Sequence, residues 1–557
     1  MFSPDAHRDD PLSGQTAGGG PLARLASRPW VCPLLLAAAC LHQTLYLHLY
    51  GPYGHDRFWF DLAAQMGAAQ SLLDGDGLTY PAHSATSPVP QREKLSQWPP
   101  GYSVLFAAVL APLGDPWQAT FLLDTASILL FFGSWFVMIR MLRPYVSSTA
   151  ALLVWSYWAF IWNPLLLLQG SNLVTVAIFS CGLACCLATA GGRRPRLAAV
   201  ACGVCLGLAA ALRYAYWPLI LVPPLALGTA WLLTGRRRGL LEGAVLSGGV
   251  AAGLLIVLAG FNRWYLGEVA QYLGDDKQGG LQWSQLWRID HFPARMTGFP
   301  RIWQWVSERS GLDRILHFHR ASQGVSVLIL VVAMLPLLTA WRARRGHASD
   351  ETGRVRLMVF ASAGLLTLVL TVAMLGFLSL TVPPIRFASG QLWTYLQQPR
   401  YYAPILGFLS VGLAAGVVQV LQWLRPRRIL FAGLAMLLIA WLIMGLGFRG
   451  KTWVKELANY ERVRTKRALE NAASRAIHSA VRQQLQQGRS ALFISFSPRR
   501  LYPPYIPKTP YSVRIAGGCT VNPDFLQGPI EAGIRRWPCL CSSRLAQPKA
   551  PPKAWGP

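Results

Sequence analysis

Residues 171–190 read SNLVTVAIFSCGLACCLATA and hold no charged side chain. Runs of this kind recur along much of the chain, where a soluble core would show short alternations. A bilayer core about 30 Å thick takes about 20 apolar residues of helix to cross, so runs of this length read as transmembrane helices. The chain has 557 residues, of which 53% are hydrophobic and only 14% charged. The predicted class is an all-α polytopic membrane protein.

The net charge is +28. Its arginines and lysines sit in short clusters between the apolar runs, as the positive-inside rule would place them. No basic-aromatic module accompanies them, which argues against nucleic acid as a partner. Seven of the ten cysteines, Cys32, Cys40, Cys181, Cys185, Cys186, Cys202 and Cys205, lie inside apolar runs and read as small hydrophobes. Cys519, Cys539 and Cys541 lie in the tail. Cys202 and Cys205 form a CxxC inside one of those apolar runs, and no second CxxC accompanies it to complete a metal-ligand set.

Residues 1–28 read as a disordered cytoplasmic leader. A transmembrane domain is expected over 29–449, with its first span at Trp30–Tyr50, read as a retained anchor. Gly101–Leu113 is short for a span and reads as a re-entrant or juxtamembrane helix. The other spans are expected at Trp117–Met141, Val146–Leu166, Asn172–Ala190, Leu197–Leu212, Tyr214–Leu233, Gly239–Tyr265, Val325–Ala340, Val355–Leu378, Tyr402–Leu424 and Ile429–Gly447. That makes about eleven spans, with the N terminus in the cytoplasm and each basic cluster on the inner side.

Three outer loops follow, 51–100, 267–324 and 379–401. The second holds Trp283, Trp287, Trp303 and Trp305, a density that favours helices at the membrane interface. Residues 450–557 form an extracytoplasmic tail of α/β-like character. A helix is expected over Thr452–Gln487, then short strands at ALFISF and YSVRI, then a disordered end.

The first outer loop contains FDLAAQMGAAQSLLDGDGLTY, from Phe60 to Tyr80. Leu62, Met66, Ala69 and Leu73 fall at helical spacing and predict an amphipathic helix lying at the membrane surface. Asp61 and Gln65 lie one turn apart beside that stripe. Asp74 and Asp76 fall in a glycine-rich turn after the helix. A plain structural role is available to each: Arg57 and Asp61, at i,i+4, would make a surface ion pair of about 0.3–0.5 kcal/mol. Arg213, Tyr214 and Asp124 stand in almost wholly apolar sequence. An ionisable group there is costly and is by default a functional candidate. The alternative for Asp124 is a purely structural pairing with Arg213.

Taken in order, several motifs carry a family resemblance. After the first span comes an outer loop with Asp, then A-x-x-L-L-x-G-x-G from Ala69, then PPGY at 99–102 opening an apolar segment. LRYAYWPLILVPPLAL follows from Leu212, and PRYYAPILGFL opens a helix at Pro399. Over roughly Trp30–Gly447 the chain resembles the membrane-embedded C-type (GT-C) glycosyltransferases. The nearest group comprises bacterial relatives of the dolichyl-phosphate-mannose protein mannosyltransferases and of the lipid A aminoarabinose transferase.

The resemblance implies an inverting glycosyltransferase of the cytoplasmic membrane that moves a hexosyl or pentosyl group from a polyprenyl-phosphate donor to an acceptor hydroxyl. It implies a catalytic Asp in the first outer loop, usually eight residues before the Ala of the A-x-x-L-L motif. Counting back from Ala69 gives Asp61, with Asp56 the rival; the family often has an aromatic where Gln65 stands. It also places an Arg–Tyr pair where Arg400 and Tyr401 lie, with Arg386 a neighbour in the same loop.

One carboxylate suffices as general base, because the lipid phosphate is already a good leaving group. A positioned cation then stabilises the charge the phosphate gains, and Arg400, at the outer end of a span, is the first candidate for it. Lipid-linked sugar and membrane lipids are the expected partners, with no further cofactor. His317 and His319 alternate in LHFHR without a carboxylate cluster and read as interfacial packing. The other class considered is a lipid or sugar transporter, which should show repeated halves with broken helices; no such symmetry is evident.

Overall fold

The computed structural model describes residues 28–50, 60–82, 91–143, 146–161, 170–267, 318–342, 351–381 and 399–447, apart from isolated positions, together with a few short elements elsewhere. Asp56, His317, Trp283, Trp287, Trp305, the tail cysteines and the helix expected over 452–487 lie outside the described residues.

Helices dominate. They are α1 (Val31–Tyr50), α2 (Phe60–Leu73), α3 (Gly101–Leu113), α4 (Pro116–Met141), α5 (Ser148–Ser156), α6 (Ser171–Thr189), α7 (Pro195–Leu212), α8 (Val222–Leu233), α9 (Arg238–Leu266), α10 (Phe318–Arg342), α11 (Glu351–Thr381) and α12 (Ala403–Leu424). A thirteenth, α13, covers Arg428–Gly447. Eight segments among the described residues are long and apolar enough to cross a membrane: most of α4, α6, α7, the run from Tyr214 through α8, α9, most of α11, α12 and α13. Shorter apolar helices cover Val31–Leu45, Gly101–Leu113 and Arg320–Pro336. The chain is therefore a multi-pass membrane protein.

The expected span Val146–Leu166 does not appear as one continuous α-helix. Ser148–Ser156 is α-helical, and the backbone then widens into a π-helical turn over Tyr157–Ile161. The expected span also ran through Pro164, which has no N–H to give to a helix ladder.

The chain divides into two compact units. The larger comprises Met1–Gly51, Ser96–Tyr102 and Thr120–Asn459. Its centre is aromatic: Phe131, Phe132 and Trp135 of α4 meet Trp155 of α5 and Trp158 of the π-helical turn. Trp135 also packs edge-on against Phe408 of α12, with centroids 5.4 Å apart. Gly407 makes this possible, since a Cβ there would fall 1.9 Å from the Trp135 ring. The buried Trp158 indole donates to Ser410 Oγ at 3.2 Å, which satisfies its N–H where no water reaches.

Small residues set the other helix contacts, as expected where lipid removes any hydrophobic drive between helices. Along α12, Cβ atoms at Gly412 and Gly416 would fall 2.8 and 1.9 Å from the carbonyl oxygens of Ala333 and Val332 on α10. Along α7, Gly203 and Gly207 face Ser247, Val250 and Leu254 of α9 in the same way.

The smaller unit comprises Pro52–Leu95, Ser103–Ala119 and Tyr460–Pro557. Here α2 ends where sequence predicts, in a turn whose Gly75 and Gly77 take φ of 84° and 73°. The chain then forms an antiparallel pair, β1 (Thr79–Ala82) with β2 (Gln91–Lys94). Ser103 Oγ donates to the Gln65 carbonyl at 2.8 Å and so ties α3 to α2.

The expected one-sided amphipathic helix is not found. Leu62, Met66 and Ala69 are buried, but so are Ala64, Gln65 and Ala68, while Leu73 is 43% exposed. With Ala and Gly filling the positions between the larger side chains, α2 is slim enough to be buried on every side through its middle. In the tail, β5 (Leu492–Ser495) pairs in parallel with β6 (Ser512–Ile515).

Candidate functional site: a cationic recess at the start of α6

Gly170 begins the site. It takes φ 53° and ψ −127°, a conformation that L side chains rarely adopt, and it is the N-cap of α6. Being glycine, it offers no side-chain cap to the first turn. That turn carries the positive end of the helix dipole. Ser171 and Asn172 follow, so a polar helix start opens a segment that is otherwise apolar.

Arg213 reaches the same point from the end of α7. Its backbone is extended, with φ −153° and ψ 129°, which terminates the helix and turns the side chain away from the helix path. Its guanidinium donates to Ser171 Oγ at 3.3 Å, and the residue is 8% exposed. Among the described residues no carboxylate pairs with it. One hydroxyl occupies a small part of a five-donor fork, so the cation keeps most of its hydrogen-bonding capacity in a site of low dielectric.

Around Arg213 lies a small recess of about 10 Å³, lined among others by Asn172, Tyr216, Met374, Tyr401 and Pro404. Tyr401 comes from the 3-10 turn Pro399–Tyr402 that leads into α12. A helix N-terminus, a guanidinium and an amide converge on this small space.

Asp124, on α4, is buried with 3% exposure. Its carboxylate accepts the Gly170 N–H. The direct pairing with Arg213 that sequence left open is not formed. Instead the two ionisable groups are anchored on consecutive residues, Asp124 on Gly170 and Arg213 on Ser171. The second carboxylate oxygen, Oδ1, has no hydrogen-bond partner among the described residues. The glycine of PPGY has its reason nearby: a Cβ on Gly101 would fall 2.4 Å from the Ala211 carbonyl oxygen, two residues before Arg213.

The remaining sequence candidates fall as follows. Tyr214 does not line the recess; its hydroxyl accepts from Asn262 Nδ2 at 3.2 Å and its ring packs edge-on against Trp217. Arg400 lies in the turn beside Tyr401, and Arg386 lies on the two-residue strand β3 (Ile385–Arg386), paired with Leu392 of β4 (Leu392–Trp393). The side chains of Arg400, Arg386 and Asp61 lie outside the described residues.

In the smaller unit, Asp61 is the second residue of α2, within the first turn where an acidic side chain complements the helix dipole. Gln65, one turn on, is fully buried, and neither end of its side-chain amide has a partner among the described residues. No cluster of three or more His, Cys, Asp or Glu fit to hold a metal occurs among the described residues.

Sequence reasoning missed Ser171, Asn172, Tyr216 and Met374. The polar triplet Gly170–Ser171–Asn172 at the head of an apolar run was the available signal. Nothing in the pattern marked Tyr216 or Met374.

No protein-family model matches the chain, and no curated protein matches its sequence. Among solved structures, the chain is similar to ArnT from Cupriavidus metallidurans bound to undecaprenyl phosphate. Identity is 13%, the TM-score is 0.46, and the match covers 92% of this chain and 90% of that one. The apo form of the same protein gives 15% identity, a TM-score of 0.45, and coverage of 92% and 89%. The oligosaccharyltransferase AglB from Archaeoglobus fulgidus, in complex with an inhibitory peptide and a dolichol-phosphate, gives 12% and 0.42, over 78% of this chain and 56% of that one. ArnT, a lipid A aminoarabinose transferase, and AglB are both GT-C enzymes.

Proposed function

We propose that the protein is an inverting glycosyltransferase that moves a sugar from a polyprenyl-phosphate donor to an acceptor hydroxyl at the outer face of a bacterial cytoplasmic membrane. The observation that carries this reading is the recess at the start of α6. It brings a buried guanidinium, with no ion-pair partner among the described residues, to a helix start at one end of an apolar bundle. A lipid-borne phosphate needs that combination: an anion site for the headgroup and a membrane for the tail. The order of motifs along the sequence supports the same class.

In this reading Arg213 holds the donor phosphate, with Asn172 and the first N–H groups of α6 beside it. The bond from the anomeric carbon to the phosphate oxygen breaks as the acceptor oxygen attacks from the opposite face, which inverts the anomeric centre. The departing phosphate gains negative charge, and a preorganised cation in a dry site stabilises that charge without reorganising. Arg400, one residue before the recess-lining Tyr401, is the second candidate for this duty. An aspartate of the first outer loop takes the proton from the acceptor hydroxyl as general base. Asp61 is proposed for that role, with Asp56 the alternative. The transmembrane domain is taken as residues 29–449, with the N terminus in the cytoplasm, and no cofactor beyond the lipid-linked sugar is invoked.

The test is a pair of isosteric substitutions. Asp61→Asn and Asp56→Asn are each assayed for transfer of label from a polyprenyl-phosphate sugar into a wild-type membrane extract. The base variant is expected to lose about 100-fold or more in rate while still inserting and folding. Full activity in both would remove the general base from the account.

A further inference from the structure

At the other end of α6, away from the recess, a second cationic site is assembled from three sets of helix ends. Arg356 of α11 donates from Nη2 to the Gly191 carbonyl at 2.9 Å, in the turn after α6. Arg237, the N-cap of α9, pairs with Glu351, the first residue of α11. Arg196 of α7 pairs with Glu242 of α9 at 2.7 Å. These three contacts link the α6–α7 turn, the start of α9 and the start of α11 into a ring.

The ring is strongly unbalanced. Among the described residues, Arg194, Arg196, Arg237, Arg238, Arg354 and Arg356 lie at these helix ends against Glu242 and Glu351, six positive charges against two negative. Both glutamates are spent on named partners. The Nε atoms of Arg354 and Arg356 are buried and have no hydrogen-bond partner among the described residues. Most of the rest of the cluster is exposed, and Arg354 and Arg356 are half-buried within it.

The turn is also shaped for close approach. A Cβ on Gly191 would fall 2.4 Å from the Thr352 side chain and 3.3 Å from Arg356 Nε. The apolar segments of α6, α7, α9 and α11 begin within a turn or two of these residues, which puts the ring at headgroup depth.

We propose that this ring is a binding site for the phosphate headgroup of an anionic phospholipid. The phosphate oxygens would take the free guanidinium N–H groups, which point as a planar fork. The acyl chains would run along the apolar surface of the helices that carry the ring. A basic pocket between helix ends at a membrane surface suits such a lipid. The inference does not depend on the glycosyltransferase reading, because it uses the opposite ends of the helices and none of the recess residues.

The test uses the full-length protein in a neutral detergent and reads the thermal midpoint of unfolding. It is titrated separately with phosphatidylglycerol, with phosphatidylcholine of the same chains, and with inorganic phosphate. Phosphatidylglycerol is expected to raise the midpoint in a saturable way, since a ligand that binds only the folded state stabilises it; the other two are not. The double substitution Arg354→Gln with Arg356→Gln should weaken the phosphatidylglycerol effect by about tenfold or more. Lysine at both positions should restore part of it, keeping the charge and losing the fork.

Equal stabilisation by both phospholipids would overturn the proposal, as would an unchanged response in the Gln pair. An equal response to inorganic phosphate would make the ring a free-anion site and overturn the lipid assignment. Should the Gln pair fail to fold, the wild type still decides the matter. Rising salt must weaken the phosphatidylglycerol response, and a salt-independent response contradicts an electrostatic site.

Discussion

Replacing Arg213 by alanine removes the recess cation and little else. Only one hydrogen bond to a neutral partner is lost, the 3.3 Å contact with Ser171 Oγ. Folding should therefore change little. Donor binding should change greatly, since a charge-assisted hydrogen bond is worth about 1.5–3 kcal/mol. At 1.4 kcal/mol per decade, one such contact is about a tenfold to hundredfold loss of affinity for the lipid phosphate. Two contacts from the same guanidinium would lie at or above the top of that range. Lysine should recover only part, because it brings a point charge in place of a planar fork. The assay is equilibrium titration of the purified protein in nanodiscs with a polyprenyl phosphate, with acceptor dependence measured separately on the same samples. The acceptor term should stay unchanged. Wild-type affinity for the lipid phosphate in Arg213→Ala would refute the assignment and leave Arg400 and Arg386 to be tried.

Arg400→Ala should weaken donor binding by a similar factor if Arg400 shares the phosphate, with Arg400→Lys intermediate; an unchanged donor titration excludes it. Gly416→Leu should destabilise the bundle by about 1–3 kcal/mol or more, since the new side chain has no room against the Val332 carbonyl; a wild-type thermal midpoint would contradict the packing described for α10 and α12. Reporter fusions should place Ala85 and Gly488 outside and Gly346 inside; a cytoplasmic report at Gly488 would make Gly101–Leu113 a true span or remove another span.

The helical membrane class was legible in the apolar runs, because a 20-residue run leaves the backbone few other solutions. Segment ends were legible where glycine or polar residues interrupt the run, as at Gly75 and Gly170. The break near Tyr157 was not, since a π-helical turn is written in no periodicity and the Pro164 signal was read through. The nature of α2 was misread for a related reason. The stripe Leu62–Met66–Ala69 is real, but small Ala and Gly residues between its members allow burial on all sides, which a hydropathy pattern does not report.

At the site, Arg213 and Asp124 stood out because charge in apolar sequence is costly. Their separate anchoring on Ser171 and Gly170 could not be read, since it joins three segments far apart in the chain. Tyr401 was marked through the Arg–Tyr resemblance, while Met374 and Tyr216 look like any other apolar-run residues until the helices are assembled.

The central claim is that sugar passes from a polyprenyl phosphate through this protein to the cell envelope. Its most direct test is mass spectrometry of the membrane lipids and envelope glycans of three strains of the native host: wild type, deletion, and deletion complemented with the Asp56→Asn, Asp61→Asn double variant. The account predicts the same change in the deletion and the double variant: a polyprenyl-phosphate sugar accumulates, and one envelope component becomes lighter by that same sugar. Unchanged lipid-linked sugars together with unchanged glycans in both mutant strains would contradict it.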